Sequence, residues 1–285
     1  MCKLFGFRSI LNSKVHSSLI EAENSLFNLG SLHPDGWGLA YYVNQIPHLH
    51  RSTEAVHEQN LFQKISGQVS SQTFMAHIRK ATQGNKDIQN CHPFQFGLWI
   101  FCHNGNIKNY QKEKSKFLSM LPPELSSKVY GESDSEFLFY FLTQDFILSD
   151  QAWDYNSLAH KITSRVKQLV HKIGKLDTFQ PGDIVPHKDR NYLTFLLSDG
   201  NRMFGFNGGI PLFYCTHKSK CSESDTCSFY NNSCENTVTI NQKINHLILS
   251  SEEISGQNIW KKLHLGEMVG IDENYHFLKS KLSLE

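Results

Sequence analysis

Residues 2–8 read Cys-Lys-Leu-Phe-Gly-Phe-Arg, a short apolar run that predicts a β-strand directly behind a cysteine. Removal of Met1, which a small side chain at position 2 permits, would leave Cys2 with both a thiol and a free α-amine. The amine titrates near pH ~7.7–8 and the thiol near ~8.5, so one residue would hold a nucleophile and its base. A cysteine in this position is also an ordinary buried apolar residue. The rest of the chain must decide between these interpretations.

The composition is that of an ordinary folded protein. The chain has 285 residues, of which 39% are hydrophobic and 19% charged, enough for one large domain or two small ones. The formal net charge of +1 provides no basic field for nucleic acid. No apolar run approaches the ~20 residues of a membrane span, and the N-terminal segment lacks the pattern of a secretory signal peptide. We therefore expect a cytoplasmic protein that binds neither membrane nor nucleic acid.

The cysteines form two groups. There are seven in all, an odd number that fits free thiols in a reducing compartment. Four of them fall in the polar stretch 215–236, at spacings of six, six and seven residues. None forms a C-x-x-C pair, the short knuckle from which structural zinc sites usually draw ligands. We interpret this stretch as a surface insertion, with a metal- or partner-binding loop as the alternative. Neither a metal nor a cofactor is predicted.

Local patterns predict an α+β protein in which helices cover sheets. Helical periodicity occurs at about 17–29 and at 158–173, and residues 133–136 precede an apolar helix that should be buried. Strands are predicted at Leu4–Arg8, Trp37–Val43, Thr73–Ile78, Leu98–His103, Tyr192–Ser198, Met203–Phe206, Pro211–Cys215, His246–Ser250 and Glu267–Ile271.

Three downstream motifs place reactive groups near the ends of predicted elements. Arg79 ends a strand, and its planar guanidinium matches a carboxylate with two parallel hydrogen bonds, although a surface salt bridge is the simpler interpretation. Asn104 beside Gly105 supplies an amide and a backbone N–H, the donors of an oxyanion hole. Asn-Gly is also a common hairpin turn. Asp134 at a helix start is either an N-cap or a partner for a substrate ammonium group.

Together these motifs resemble the class II glutamine amidotransferases, which belong to the N-terminal nucleophile hydrolases, and in particular their stand-alone, YafJ-like branch. The motifs are Cys2 before a strand, DGWG at 35–38, AHIRKAT at 76–82, CHPF at 91–94, HNG at 103–105 and SDSE at 133–136. Further similarity extends to about residue 270. The resemblance implies a single domain over 1–285 with a four-layer αββα sandwich, in which two antiparallel sheets lie face to face between helices.

The resemblance also implies a role for each site residue. Cys2 would be the nucleophile and its α-amine the base, while Asn104 and Gly105 would form the oxyanion hole. Arg79 would bind the α-carboxylate of the substrate and Asp134 its α-ammonium group.

Other motif residues would shape the site. Gly36, Trp37 and Thr82 would line the substrate pocket. The histidines of the motifs are interpreted as architectural, because the chain terminus already supplies a base; they are His77, His92 and His103.

The implied reaction is hydrolysis of the glutamine side-chain amide. The thiolate attacks, ammonia leaves, and water cleaves the γ-glutamyl thioester to glutamate. One alternative is hydrolysis of another γ-glutamyl amide or peptide, and a second is an inactive scaffold whose cysteine-rich loop binds a metal or a partner. If glutamine is the substrate, ammonia would pass to a separate partner subunit, because the resemblance accounts for nearly the whole chain.

Overall fold

The computed structural model describes residues 2–180, 183, 187–221, 224–236 and 242–284. The helices are α1 (Asn60–Gln68), α2 (Lys114–Leu118), α3 (Pro123–Ser126), α4 (Asp134–Thr143) and α5 (Tyr155–Ile173). The strands are β1 (Lys3–Ser13), β2 (Trp37–Val43), β3 (Ile46–Ser52), β4 (Ser71–Ile78), β5 (Phe94–Phe96), β6 (Trp99–Asn106), β7 (Tyr192–Ser198), β8 (Met203–Phe206), β9 (Phe213–Lys218), β10 (His246–Ser250), β11 (Asn258–Lys262), β12 (Glu267–Ile271) and β13 (Phe277–Lys281).

The strands form two antiparallel sheets. One sheet has seven strands in the order β11-β9-β10-β1-β4-β2-β3, and the other has six in the order β13-β12-β8-β7-β6-β5. Side chains alternate across each strand, so β1 directs Leu4 toward the other sheet and Phe5 away from it. Leu4 packs with Leu196 and Cys102 of the six-stranded sheet in a shared inner core. The predicted α+β sandwich is therefore confirmed.

Helices cover the two outer faces unequally. On the six-stranded sheet lie α4, whose ten residues are all buried, and α5, which buries the predicted stripe of Leu158, Ile162 and Val166. The seven-stranded sheet is covered by the shorter α1 and by irregular chain before β2. No described helix is both long and apolar enough to cross a bilayer.

The prediction of a helix over 17–29 is wrong. The structure has one wide helical turn, Ser17–Glu21, followed by turns. The backbone becomes extended at Ala22, where ψ is 140°. Asn28 donates from Nδ2 to the carbonyl of Ala22 at 2.9 Å. Such short polar side chains compete with the helical hydrogen bonds of the backbone.

Among the described residues, four strands were not predicted from the sequence, and they are the edges of the two sheets. They are β3 and β11 in the seven-stranded sheet and β5 and β13 in the six-stranded sheet. By contrast, five inner strands begin and end where predicted: β2, β7, β8, β10 and β12. Edge strands face water along one side and carry polar or charged residues that interrupt the apolar pattern.

The predicted insertion at 215–236 begins too early. Strand β9 continues to Lys218, and Cys215 pairs with Ile248 on one side and Trp260 on the other. Residues 222 and 223 of the predicted insertion lie outside the described residues. In the part of the chain that the structure describes, no group of three or more His, Cys, Asp or Glu side chains is arranged to hold a metal ion.

We predict that Phe139→Ala strongly destabilises the protein. Phe139 is fully buried in α4 and stacks on Phe101 of β6, with ring centroids 5.4 Å apart. The cavity left behind should lower the free energy of unfolding by about 3–5 kcal/mol, measured by urea denaturation. The control Leu148→Ala removes a side chain that is 47% exposed and should change stability by less than about 1 kcal/mol. Equal effects of the two substitutions would contradict this account of the core.

Candidate active site

The pairing of β1 with β4 positions Cys2. Lys3 lies opposite Ile78 in this antiparallel pair, so Cys2 lies beside the residues that follow β4. The backbone N–H of Lys80 donates to the Cys2 sulfur, and the thiol donates to the Lys80 carbonyl, both at 3.3 Å. The sulfur of this half-buried residue is therefore held at the end of the seven-stranded sheet.

Local electrostatics affect the thiol and the histidines differently. Burial raises the pKa of the Cys2 thiol, while the Lys80 N–H and the Arg79 guanidinium offset part of that rise. Burial also lowers the pKa of each motif histidine, so that all three are neutral at pH 7; they are His77, His92 and His103. Among the described residues, the Cys2 sulfur forms hydrogen bonds with the backbone of Lys80 and with no histidine.

Asn104 and Gly105 lie within a strand and not in a hairpin turn. Strand β6 runs past its predicted end, and the two residues pair with Thr194 and Leu193 of β7. The Nδ2 atom of Asn104 donates to the Cys2 carbonyl at 2.8 Å and so connects the two sheets. A β-carbon at position 105 would lie 2.1 Å from the Tyr192 carbonyl oxygen, so this position requires glycine.

Arg79 is buried inside its own loop. Only 3% of the residue is exposed. Its guanidinium donates to the carbonyls of Gln83 at 2.9 Å, Gly84 at 3.3 Å and Asn85 at 3.1 Å. We call residues 80–85 the arginine loop. The carbonyl groups of this loop accept hydrogen bonds from the guanidinium N–H groups of Arg79. The same N–H groups could otherwise donate to a substrate carboxylate.

The Asp134 carboxylate faces the end of β6. The cap of α4 is Ser133, so the N-cap interpretation of Asp134 is wrong. One carboxylate oxygen accepts the backbone N–H of Ile107 at 2.5 Å. The other lies 3.4 Å from the Ser135 hydroxyl and 4.0 Å from Nδ1 of His103. Asp134 thus connects the start of α4 with the end of β6.

One small cavity connects these groups. Its volume is about 20 Å³, room for about one water molecule. Its lining includes the predicted residues Cys2, Arg79, Thr82, Gly105 and Asp134. Asn104 adjoins it through the bond to the Cys2 carbonyl. Residues far apart in sequence therefore meet at one place, in a closed arrangement.

Gly36 and Trp37 lie outside the lining of this cavity. The Trp37 ring is 1% exposed and packs edge-on against Phe62, with centroids 5.2 Å apart, on the outer side of the sheet. The Gly36 carbonyl accepts the Arg79 N–H at 2.8 Å. With φ at +122° and the Ser52 carbonyl oxygen 2.6 Å from a β-carbon built there, position 36 requires glycine. This turn therefore contacts the candidate site through the backbone of Arg79 and does not line the cavity.

The structure adds two residues that the sequence analysis missed. Asp35 accepts the Ala81 N–H at 2.8 Å and fixes the start of the arginine loop. The Ser135 hydroxyl bonds Nδ1 of His103 at 2.9 Å. Both residues lie in quoted motifs, but the motifs alone did not show which side chains turn toward the site.

Comparisons with known proteins agree with the motifs. The family described as class-II glutamine amidotransferases matches residues 1–275. Saccharomyces cerevisiae DUG3 and Escherichia coli YafJ are both named as glutamine amidotransferases. The first is 27% identical over 70% of this chain and 62% of its own length. The second is 21% identical over 94% of this chain and 96% of its own length.

A third relative has a different named activity. The γ-glutamyl-hercynylcysteine sulfoxide hydrolase of Mycobacterium tuberculosis is 30% identical over 79 residues, which are 27% of this chain and 34% of that protein. This chain therefore spans only part of two of these relatives: 62% of the length of DUG3 and 34% of the length of the sulfoxide hydrolase.

A solved structure supports the fold. The glutamine aminotransferase class-II domain protein of Silicibacter pomeroyi superposes with a TM-score of 0.59 at 16% identity, covering 99% of this chain and 100% of that one. At this identity the likeness shows the architecture alone. Because the family match spans nearly the whole chain, this protein belongs to the class II glutamine amidotransferases, a family of enzymes.

Proposed function

We propose that this enzyme hydrolyses the side-chain amide of glutamine, with Cys2 as an N-terminal nucleophile. The observation that supports this proposal is the shared cavity of the Cys2 sulfur, the Arg79 guanidinium and the Asp134 carboxylate. A free α-amino acid carries one carboxylate and one ammonium group, which match the charges of Arg79 and Asp134. Its side chain would then extend toward the sulfur.

The reaction begins once Met1 has been removed. The freed α-amine of Cys2 takes the thiol proton, and the thiolate attacks the amide carbon of the substrate. The Asn104 amide and the Gly105 N–H stabilise the resulting oxyanion. The C–N bond then breaks, the α-amine returns its proton to the leaving nitrogen, and ammonia departs. Water attacks the γ-glutamyl thioester, which releases glutamate and restores the thiol.

Substrate entry requires the arginine loop to open. A cavity of about 20 Å³ does not hold glutamine. The substrate carboxylate would replace the loop carbonyls of Gln83 and Asn85 on the guanidinium, so Arg79 exchanges one set of acceptors for another.

A second candidate is hydrolysis of a larger γ-glutamyl compound. The relative named as a γ-glutamyl-hercynylcysteine sulfoxide hydrolase supports it. Both candidates use the same thioester chemistry and differ in the leaving group. With glutamine, the separate ammonia-accepting subunit remains a prediction, as does the cytoplasmic location.

We expect activity to require a free Cys2 amine. A chain with a cleavable N-terminal tag should be inactive before cleavage and active after cleavage exposes Cys2, because the tag converts the base into an amide. Cleaved Cys2→Ala should remain inactive. Glutamate release measures activity, and cooperative urea unfolding verifies that each protein is folded. Full turnover by the uncleaved chain or by Cys2→Ala would refute the mechanism.

We expect Arg79→Lys to weaken substrate binding more than chemistry. Lysine cannot make two parallel hydrogen bonds to a carboxylate, and losing one charged bond of ~1.5–3 kcal/mol corresponds to a rise in KM of about 10–100-fold. Steady-state kinetics should show little change in kcat. The control Arg165→Lys alters a surface pair with Asp145 and should leave both constants unchanged. An unaltered KM in Arg79→Lys would remove Arg79 from substrate binding.

A substrate panel separates the two candidates. We expect kcat/KM for glutamine to exceed that for asparagine, which is one methylene shorter and should not reach the sulfur once its α-groups are held. γ-Glutamyl dipeptides favoured more than about 10-fold over glutamine would correspond to ~1.4 kcal/mol and would favour the second candidate. Equal rates with asparagine would contradict both.

A further inference from the structure

Another cavity lies away from Cys2. We call it the second cavity: a space of about 370 Å³ between the outer face of β1 and β10 and the chain that follows β9. Small-molecule sites typically measure about 300–1,000 Å³, so this space has the size of a ligand site. Phe7 is the lining residue of β1 nearest to Cys2, five residues away, which corresponds to roughly 16 Å at strand spacing, and no described residue lines both cavities. It is therefore separate from the candidate active site.

One wall of the second cavity is apolar. Phe7 of β1 and Ile248 of β10, which pair across the sheet, form its base. Three cysteines of the polar stretch also line it, all with free thiols: Cys221, Cys227 and Cys234. A free thiol behaves as a small apolar group with a weak donor. Phe229 lies at the rim and is 51% exposed.

The described charged residues of the lining all have one sign. Lys14 and Lys218 line the second cavity, and no Asp or Glu does so among the described residues. Among the described residues the lining therefore carries a positive charge. A concave site of one sign with apolar walls concentrates ions of the opposite sign.

An unpartnered histidine completes the site. His246 of β10 lines the second cavity, and its Nε2 atom is buried without a hydrogen-bond partner. Burial lowers its pKa to about 4, so the ring is neutral at pH 7 and can present Nε2–H as a donor. A buried polar atom without a partner costs about 1–3 kcal/mol. A ligand oxygen at Nε2 would remove this cost.

We propose that the second cavity binds a small amphipathic anion, whose ring or hydrocarbon part lies on Phe7 and Ile248 and whose acidic group meets His246 and the two lysines. This ligand is distinct from the amino-acid substrate proposed at Cys2, because an amino acid's ammonium group has no carboxylate partner among the described lining residues.

A fluorescent probe tests the proposal. The sulfonated dye 8-anilino-1-naphthalenesulfonate is an aromatic anion, and N-phenyl-1-naphthylamine is its uncharged counterpart. We expect the full-length protein to bind one sulfonate dye per chain and to bind the uncharged dye at least about 10-fold more weakly. Equal affinities for the two dyes would overturn the anionic character of the site.

Two cavity variants and two controls locate the dye. The double variant Lys14→Gln with Lys218→Gln should weaken binding of the sulfonate dye by about 10-fold or more, and His246→Gln should weaken it independently. The control Lys172→Gln removes an exposed lysine of α5 and should leave affinity unchanged. Cooperative urea unfolding excludes dye binding to a loosened fold. The Cys2→Ala protein should bind the dye as the wild type does, so the result does not depend on the proposed catalysis. Unchanged affinity in both cavity variants would refute the second site.

Discussion

The candidate active site depends on the antiparallel pairing of β1 with β4. The register that sets Lys3 opposite Ile78 brings the Cys2 sulfur to the N–H and carbonyl of Lys80. Because side chains alternate along a strand, a slip of one residue would turn Cys2 to the opposite face. The inner core opposes such a slip, since Leu4 would leave its apolar contacts at the same time.

At the candidate site the six-stranded sheet contacts the seven-stranded sheet through the Asn104 side chain, which lies beside a tightly packed glycine. Asn104 donates directly to the Cys2 carbonyl, and its neighbour Gly105 approaches the Tyr192 carbonyl too closely for any β-carbon. The glycine is therefore a requirement of the packing of β6 against β7 within the six-stranded sheet.

Buried charges in the closed site are balanced by the backbone. Arg79 and Asp134 are each 3% exposed, and buried charges without partners are costly. Loop carbonyls satisfy Arg79, and the Ile107 N–H satisfies Asp134. These partners are dipoles, so a ligand with full opposite charges can compete for the same atoms. An amino acid that binds as proposed would replace these backbone partners with its own carboxylate and ammonium groups.

The sequence by itself determined the inner strands, the helical stripe at 158–173 and the family, because these follow from apolar periodicity and from motifs whose residues are contiguous. Only the tertiary structure decided the four edge strands, the irregular chain at 17–29 and the place of Trp37 in the outer core. It also decided how Cys2 meets Asn104 and where the second cavity lies. Each of these depends on partners distant in the chain, and local periodicity carries no information about which distant segment packs against a residue.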